Sequence, residues 1–343
     1  YFEGKLNAIS KPNRLLYFNE EFRPGFAGHM ALLNLKTFIW PQFLGNQGTA
    51  TAAHYPPNSH VLDQVHAQGG VAGYVHPFTT PKRDPEEYDY SGAREFPVNA
   101  ALGNVDYYDV MCIWSDEYVS AEVWYRVLNL GFRVPASAGT DAMPNYWRAP
   151  AIGTTRVYVR SGPKLDYEQW LKGLTAGRSF VTNGPLLFLR VDQKEPGDEL
   201  RLPAGDASIR VEVEAQSIVP MDTLDILQNG KVVRSVKLTD PYQVKFDERV
   251  PVERTGWIAA RVSGPERQHL LMDSYVYAHT NPVYLMKDGS KATSPADARY
   301  FLRWIDRVLV LLEQSDALDT PAQKKEVIDL WRRARAVYAG MST

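Results

Sequence analysis

Through the first half of the chain, short apolar runs alternate with stripes of apolar residues at helical spacing. Residues 119–130 place Ala121, Trp124, Tyr125 and Leu128 on one helical face and stop at Gly131. Residues 133–138 follow as a compact strand that ends on small residues and delivers Asp141 to a loop. The same succession occurs earlier: a helix over 59–68 closes at Gly69-Gly70, a buried strand spans 71–75, and His76-Pro77 ends it. Further strands are expected at 15–18, 30–35, 105–113 and 154–159, with a further helix at 165–176 stopped by Gly177. Helix, glycine, strand and then a polar residue is the repeating unit of parallel β/α proteins, whose chemistry sits at the carboxyl ends of the strands. The strands are too few for a complete eight-stranded barrel, so a barrel here would lack its beginning. The stretch 79–101, rich in Pro, Asp, Glu and Tyr, reads as a lid or binding loop.

Residues 178–185 read as a transition loop, and from there to about residue 280 the period becomes two. Ile209, Val211 and Val213 alternate with Arg210, Glu212 and Glu214, and Asn229-Gly230 between Ile226-Leu227 and Val232-Val233 is a two-residue hairpin signal. With further strands at 257–262 and 274–278, this stretch predicts a small antiparallel β-sandwich. Ser294-Pro295 then opens a helix with Phe301, Trp304, Ile305, Val308, Leu311 and Leu312 on one face. Thr320-Pro321 opens a second, striped by Val327, Leu330, Trp331, Ala334 and Tyr338. The expected division is an α/β layer over 1–184, the sandwich over 185–285, and a helical segment over 286–343 packed on the other two.

Composition narrows the function classes. Of 343 residues, 38 are Lys or Arg and 40 Asp or Glu, a net charge of −2, so there is no global basic field of the kind that binds nucleic acid or acidic membranes. Hydrophobic content of 44% with 12% aromatics fits a well-filled core. The single cysteine, Cys112, excludes an internal disulfide and a multi-cysteine zinc site, and in its apolar strand it reads as a buried, inert thiol. No apolar run reaches the roughly 18 residues a membrane span needs. The chain starts at Tyr1 without a signal-like segment, so a processed or partial product is expected; a targeting segment ahead of Tyr1 would make the protein an exported one. Compartment and oligomeric state are not readable from these residues.

Candidate chemistry gathers early. Five of the seven histidines, His29, His54, His60, His66 and His76, fall within the first 76 residues, which points to a metal. His66 sits on a helix and reads as packed or surface-exposed, while His54 and His60 flank a turn-rich loop. His76 ends a buried strand, where use as a ligand or catalyst stands level with a structural role. Glu20 and Glu21 close the first strand, and His29 enters the second. Asp141, taken alone, is most simply the cap of a turn.

In order and spacing, Asn19-Glu20-Glu21-Phe22-Arg23 leading to Gly28-His29, the segment from Gly69-Gly70-Val71 to His76-Pro77, and Ser137-Ala138-Gly139-Thr140-Asp141-Ala142 resemble the polymerase-and-histidinol-phosphatase (PHP) superfamily. Within it they are most similar to the carbamate-hydrolase branch, the CehA/McbA-type metallohydrolases. Trp124-Tyr125-Arg126-Val127-Leu128-Asn129, the segment from Gly177-Arg178 to Gly184-Pro185, and Ala278-His279-Thr280-Asn281-Pro282-Val283-Tyr284 are similar to that branch as well. The resemblance implies a distorted, N-terminally incomplete PHP-type β/α barrel, followed by the β-sandwich and the C-terminal helical segment. It implies a divalent transition metal (Zn, Mn or Fe) held by Glu21, His29, His76 and Asp141, with Glu20 as the alternative carboxylate. His76 and Asp141 would also serve catalysis. His279, Arg178 and Asn183 would bind a small-molecule substrate or fasten the sandwich to the barrel. Two features depart from the family: there is no His-x-His pair, which either precedes Tyr1 or is lost, and Met143 stands where many members have a histidine. The implied activity is attack of a metal-activated water on a carbamate, ester or amide bond. One alternative is a phosphoesterase drawing on Arg23, Arg94 and Arg148; another is a non-catalytic binding or scaffold protein with a degenerate metal site.

Overall fold

A computed structural model describes residues 1–45, 53–78, 92–112, 114–143, 145, 151–266, 268–271 and 274–343. Most of the expected loop over 79–101, and Arg148, lie outside them. In the first layer, β1 (Glu20–Phe22) and β2 (Met30–Leu33) form an antiparallel ribbon. Then α1 (Asn58–Ala67) leads into β3 (Val71–Tyr74), α2 (Phe96–Leu102) into β4 (Tyr107–Met111), and α3 (Glu117–Asn129) into β5 (Ala136–Ala138). The helix α2 falls inside the stretch expected to be loop; Pro97 in its first turn supplies the pre-set φ that suits a helix start. The five strands make one sheet in chain order, with β2 antiparallel to β3 and with β3, β4 and β5 parallel. β3 and β4 approach closely because Gly73 has no side chain; a Cβ there would lie 2.3 Å from the Tyr107 carbonyl oxygen. Since β2 runs opposite to β3, its entry at His29 lies at the same sheet edge as the exit of β3 at His76, and Val75 N donates to His29 O at 3.2 Å.

The expected barrel does not form. The first sheet stays open at five strands, and only two β-α-β units run parallel in it. The next elements are β6 (Arg156–Val159), α4 (Tyr167–Thr175) and β7 (Ser179–Thr182), the last of them a strand inside the stretch expected to be a transition loop. Their strands pair antiparallel and leave the first sheet altogether. They join a sheet whose path is completed by strands from later in the chain.

Those strands are β8 (Leu186–Val191), β9 (Glu199–Leu202), β10 (Ala207–Gln216), β11 (Thr223–Gln228), β12 (Lys231–Lys237), β13 (Gln243–Val252), β14 (Gly256–Ser263), β15 (Tyr277–Thr280) and β16 (Val283–Lys287). The order β13-β10-β8 makes a three-stranded sheet, and β12-β11-β14-β15-β7-β6, with β16 and β9 attached, makes an eight-stranded one. The protein is thus a mixed, sheet-rich α/β structure of three open sheets, with no closed barrel among the described residues. The two later sheets face each other across one apolar core, in which Leu189, Val211 and Phe246 meet Ile226, Ile258 and Val262. Between β11 and β12, Asn229 and Gly230 both take positive φ (52° and 80°), as a two-residue hairpin turn with that sequence requires.

Two long helices, α5 (Pro295–Gln314) and α6 (Pro321–Ala339), begin where the Ser-Pro and Thr-Pro pairs stand. Ser294 caps α5, and Thr320 forms a reciprocal capping box with Gln323. Their apolar stripes complete the core of the first layer: Trp304 Nε1 donates to Arg94 O at 3.0 Å and Tyr338 Oη to Pro97 O at 2.7 Å. Among the described residues no helix is long and apolar enough to cross a membrane.

Candidate metal centre

Three side chains converge at the edge where β2 begins and β3 ends. His29 Nδ1 stands 3.0 Å from Glu21 Oε1, His76 Nε2 stands 3.2 Å from the same oxygen, and the two nitrogens are 3.3 Å apart. Local structure explains why these three are chosen. In a strand, successive side chains point to opposite faces. Glu21 therefore turns towards the histidines while Glu20 turns into the protein, where it is 3% exposed and accepts from Ile39 N at 3.0 Å. Burial pushes the Glu20 carboxyl up to about 7 against that one hydrogen bond. His76 takes a left-handed backbone conformation (φ 35°), uncommon for a residue with a side chain.

Two of the three groups, Glu21 and His76, shift in titration in opposite directions. Burial acts to raise the Glu21 carboxyl, but hydrogen bonds with His29 and His76 and the charges of His29 and Arg23 outweigh it and hold it well below the carboxylate range. His76 moves the other way. Burial acts to lower it, while the Glu21 hydrogen bond and the charges of Asp141, Glu21 and Asp109 raise it. The donor triangle has the dimensions of one face of a coordination polyhedron. Bonds of about 2.1 Å space donors about 3.0 Å apart in an octahedral face and about 3.4 Å apart in a tetrahedral one. The observed edges of 3.0–3.3 Å lie between these values. Two imidazoles and a carboxylate suit Zn, Mn or Fe alike, and three protein ligands leave a position for water or substrate. The residues present therefore fit a divalent cation. Among the described residues these are the three whose ligand atoms group within 4.8 Å of one another.

Asp141 is not a member of that group. It follows β5 in a left-handed conformation (φ 52°), its main-chain oxygen accepts from Trp114 Nε1 at 3.2 Å, and its side chain is exposed. It is near enough for its charge to act on His76 and on Asp109. Asp109, whose charge acts on His76, is a buried carboxylate that sequence reasoning did not single out. It lies in the middle of β4, 4% exposed and hydrogen-bonded to Ser137. Burial pushes its carboxyl up to about 7, with the Ser137 hydrogen bond and the charge of His76 opposing and that of Asp141 adding. Its signal was present in the sequence: a carboxylate inside an apolar run, where burial is costly unless the group has a use.

The remaining candidates lie elsewhere. His279 is fully buried, accepts from Tyr125 Oη at 2.6 Å and is pushed down to about 3 by burial. Asn183 Nδ2 donates to Tyr275 O at 2.6 Å and its Oδ1 accepts from Tyr277 N at 2.9 Å. The polar atoms of both are thereby engaged in fastening β15 and its approach to α3 and β7. Arg178 is exposed at the start of β7. Of the arginines available to a phosphate, Arg94 is buried and donates to Phe26 O at 2.7 Å, while Arg23 Nε lies 3.8 Å from Glu21 Oε1. His54 is stacked on Phe26, His60 pairs with Glu326, and His66 with Asp106. No family model, no curated protein and no solved structure matches the chain.

Proposed function

We propose that the protein is a metal-dependent hydrolase in which Glu21, His29 and His76 hold one divalent transition metal. The observation that carries this reading is the donor triangle, three atoms from three separate segments with edges of 3.0–3.3 Å. A cation in such a site supplies Lewis acidity, polarising a carbonyl and making water nucleophilic near neutral pH. Glu21 offsets the cation's charge, and the two imidazoles fix its place between β2 and β3. Asp141, exposed beside His76, is positioned to take a proton from an attacking water at its carboxylate, and Trp114 steadies its backbone. The resemblance of the motifs to the PHP superfamily's carbamate-hydrolase branch favours a carbamate, ester or amide as the bond cleaved. For a phosphoester, the engagement of Arg94 with Phe26 O leaves Arg23 as the cation beside the triad among the described residues.

Metal content and turnover together test the reading. Full-length protein purified without chelator is expected to carry about one equivalent of transition metal and to hydrolyse members of a panel of aryl carbamates and aryl esters. Glu21→Gln and His29→Ala should lose both the metal and the activity. Asp141→Ala, standing outside the triad, should keep the metal and lose activity by roughly 100-fold or more, as expected for a proton-transfer group. Equal metal content in the parent and both triad variants would refute the site, and full activity in Asp141→Ala would refute that residue's role.

A further inference from the structure

Arg178 borders a separate groove of about 650 Å³, where the paired strands β6 and β7 at the edge of the eight-stranded sheet meet β8 at the edge of the three-stranded one. None of the triad residues lines it. Its floor follows from strand alternation. Tyr158 and Phe180 are register partners across β6 and β7 and stack with centroids 5.0 Å apart and planes 12° from parallel. Phe188 on β8 meets Phe180 edge-on at 5.7 Å. Two residues along from each ring, on the same face of its strand, comes an arginine: Arg160 after Tyr158, Arg178 before Phe180 and Arg190 after Phe188. All six residues line the groove, Phe180 from the margin of the sandwich core at 8% exposed. Phe188 is 55% exposed on a sheet face where its register partner is Glu214 and its neighbours two positions along are Arg190 and Glu212. A large aromatic there joins no core, and the solvent face of a sandwich strand is ordinarily polar.

The charges in the trough are not fully matched. Arg160 N donates to Arg178 O at 2.8 Å, so the two residues stand opposite each other on neighbouring strands, where like charges destabilise the sheet. Glu195 pairs with Arg160 and lies 3.7 Å from Arg190. Glu212 and Glu214 are engaged by Arg210 and Lys245, each at 3.3 Å. Among the described residues no carboxylate pairs with Arg178, which lines the groove together with the three aromatic residues. We propose that this groove is a second ligand site, taking a small aromatic anion whose ring lies against Phe188 and the Tyr158–Phe180 stack while its carboxylate or sulfonate meets Arg178. The volume lies within the usual range for small-molecule pockets, about 300–1,000 Å³. The fork of a guanidinium matches a carboxylate, and aromatic faces favour a flat apolar body. The site is independent of hydrolysis at the triad.

Fluorescence anisotropy of naphthoate titrated with the full-length protein tests the proposal, with naphthamide as its uncharged counterpart. Saturable binding of one naphthoate per chain is expected, with naphthamide weaker by about tenfold, the loss that removing one charge-assisted hydrogen-bonded pair produces. Phe188→Ala and Arg178→Gln should each weaken naphthoate by about tenfold, with Arg178→Lys intermediate. Both side chains are exposed, so these variants should melt with the parent protein. Glu21→Gln should leave the affinity unchanged. Affinity equal in the parent and both groove variants would overturn the site. Loss of binding in Glu21→Gln would place the ligand at the triad instead, and naphthamide binding as tightly as naphthoate would overturn its preference for an anion.

Discussion

Replacing Asn281 by alanine should uncouple the second layer from β5, the strand that leads to Asp141. Asn281 is fully buried in the turn between β15 and β16, and its amide closes a two-way clasp on β5. Oδ1 accepts from Ala136 N at 2.7 Å, while Nδ2 donates to Ala136 O at 2.9 Å and to Ser179 Oγ at 2.7 Å. Three buried hydrogen bonds at about 1 kcal/mol each set a floor of about 3 kcal/mol. Truncation also strands the buried Ala136 N–H and C=O, adding about 1–2 kcal/mol, for a total of about 4–5 kcal/mol. Asn281→Asp sharpens the test because it keeps the shape and the acceptor but cannot donate when ionised. It sets a negative oxygen against the Ala136 carbonyl and should destabilise at pH 7 at least as much as alanine does. Urea unfolding followed by the fluorescence of the eight tryptophans reads both variants. A loss below about 1 kcal/mol for either would refute the view that this clasp joins the layers, since that is the yield of a single exposed hydrogen bond.

Two further outcomes follow from the first layer. Glu95 is buried at the start of α1, accepting from Ser59 N at 2.9 Å and Asn58 N at 3.2 Å, and burial pushes it up to about 7 against those bonds. An acid whose folded pKa is raised loses stability as pH climbs from its unfolded value of 4.5 to about 7. The stability of Glu95→Gln relative to the parent should therefore improve across that window, and a difference that is flat with pH would count against the assignment. Gly73→Ala would set a Cβ 2.3 Å from the Tyr107 carbonyl oxygen, where the neighbour is backbone and cannot swing away. Prising β3 from β4 should cost about 1–3 kcal/mol, read as a lower melting temperature, and an unchanged melt would show that the sheet relaxes freely.

What the sequence disclosed was mostly local. Asn229-Gly230, the Ser-Pro and Thr-Pro helix starts, and the glycines after α1 and α3 act on their immediate neighbours, so each could be read in place. Strand partnership is not local. The buried run Ser179–Thr182 looks the same whether it pairs parallel in an α/β layer or antiparallel in a sandwich, because both leave it covered on both sides. The barrel expectation came from helix–glycine–strand alternation and the family resemblance, neither of which fixes strand direction; 179–182, expected as loop, instead pairs antiparallel with β6 and β15. At the site, strand-end position singled out His76, while His29 and the choice of Glu21 over Glu20 rested on the family resemblance; the structure groups the three. The placement of Asp141 depends on a left-handed turn beyond β5, which the string Gly-Thr-Asp-Ala does not specify. Asp109 was hidden by its own strand, whose apolar neighbours made it look like a core residue.

The α5–α6 pair seals the core beneath α2, through Trp304 on the Arg94 carbonyl and Tyr338 on the Pro97 carbonyl. A nascent chain consequently extrudes Glu21, His29 and His76 long before the hairpin that shields their sheet has been translated. Until then the apolar underside that α5 and α6 cover has no partner from this part of the chain. A polypeptide ending ahead of Tyr338 would hold every proposed ligand yet leave the Pro97 carbonyl and part of that core uncovered.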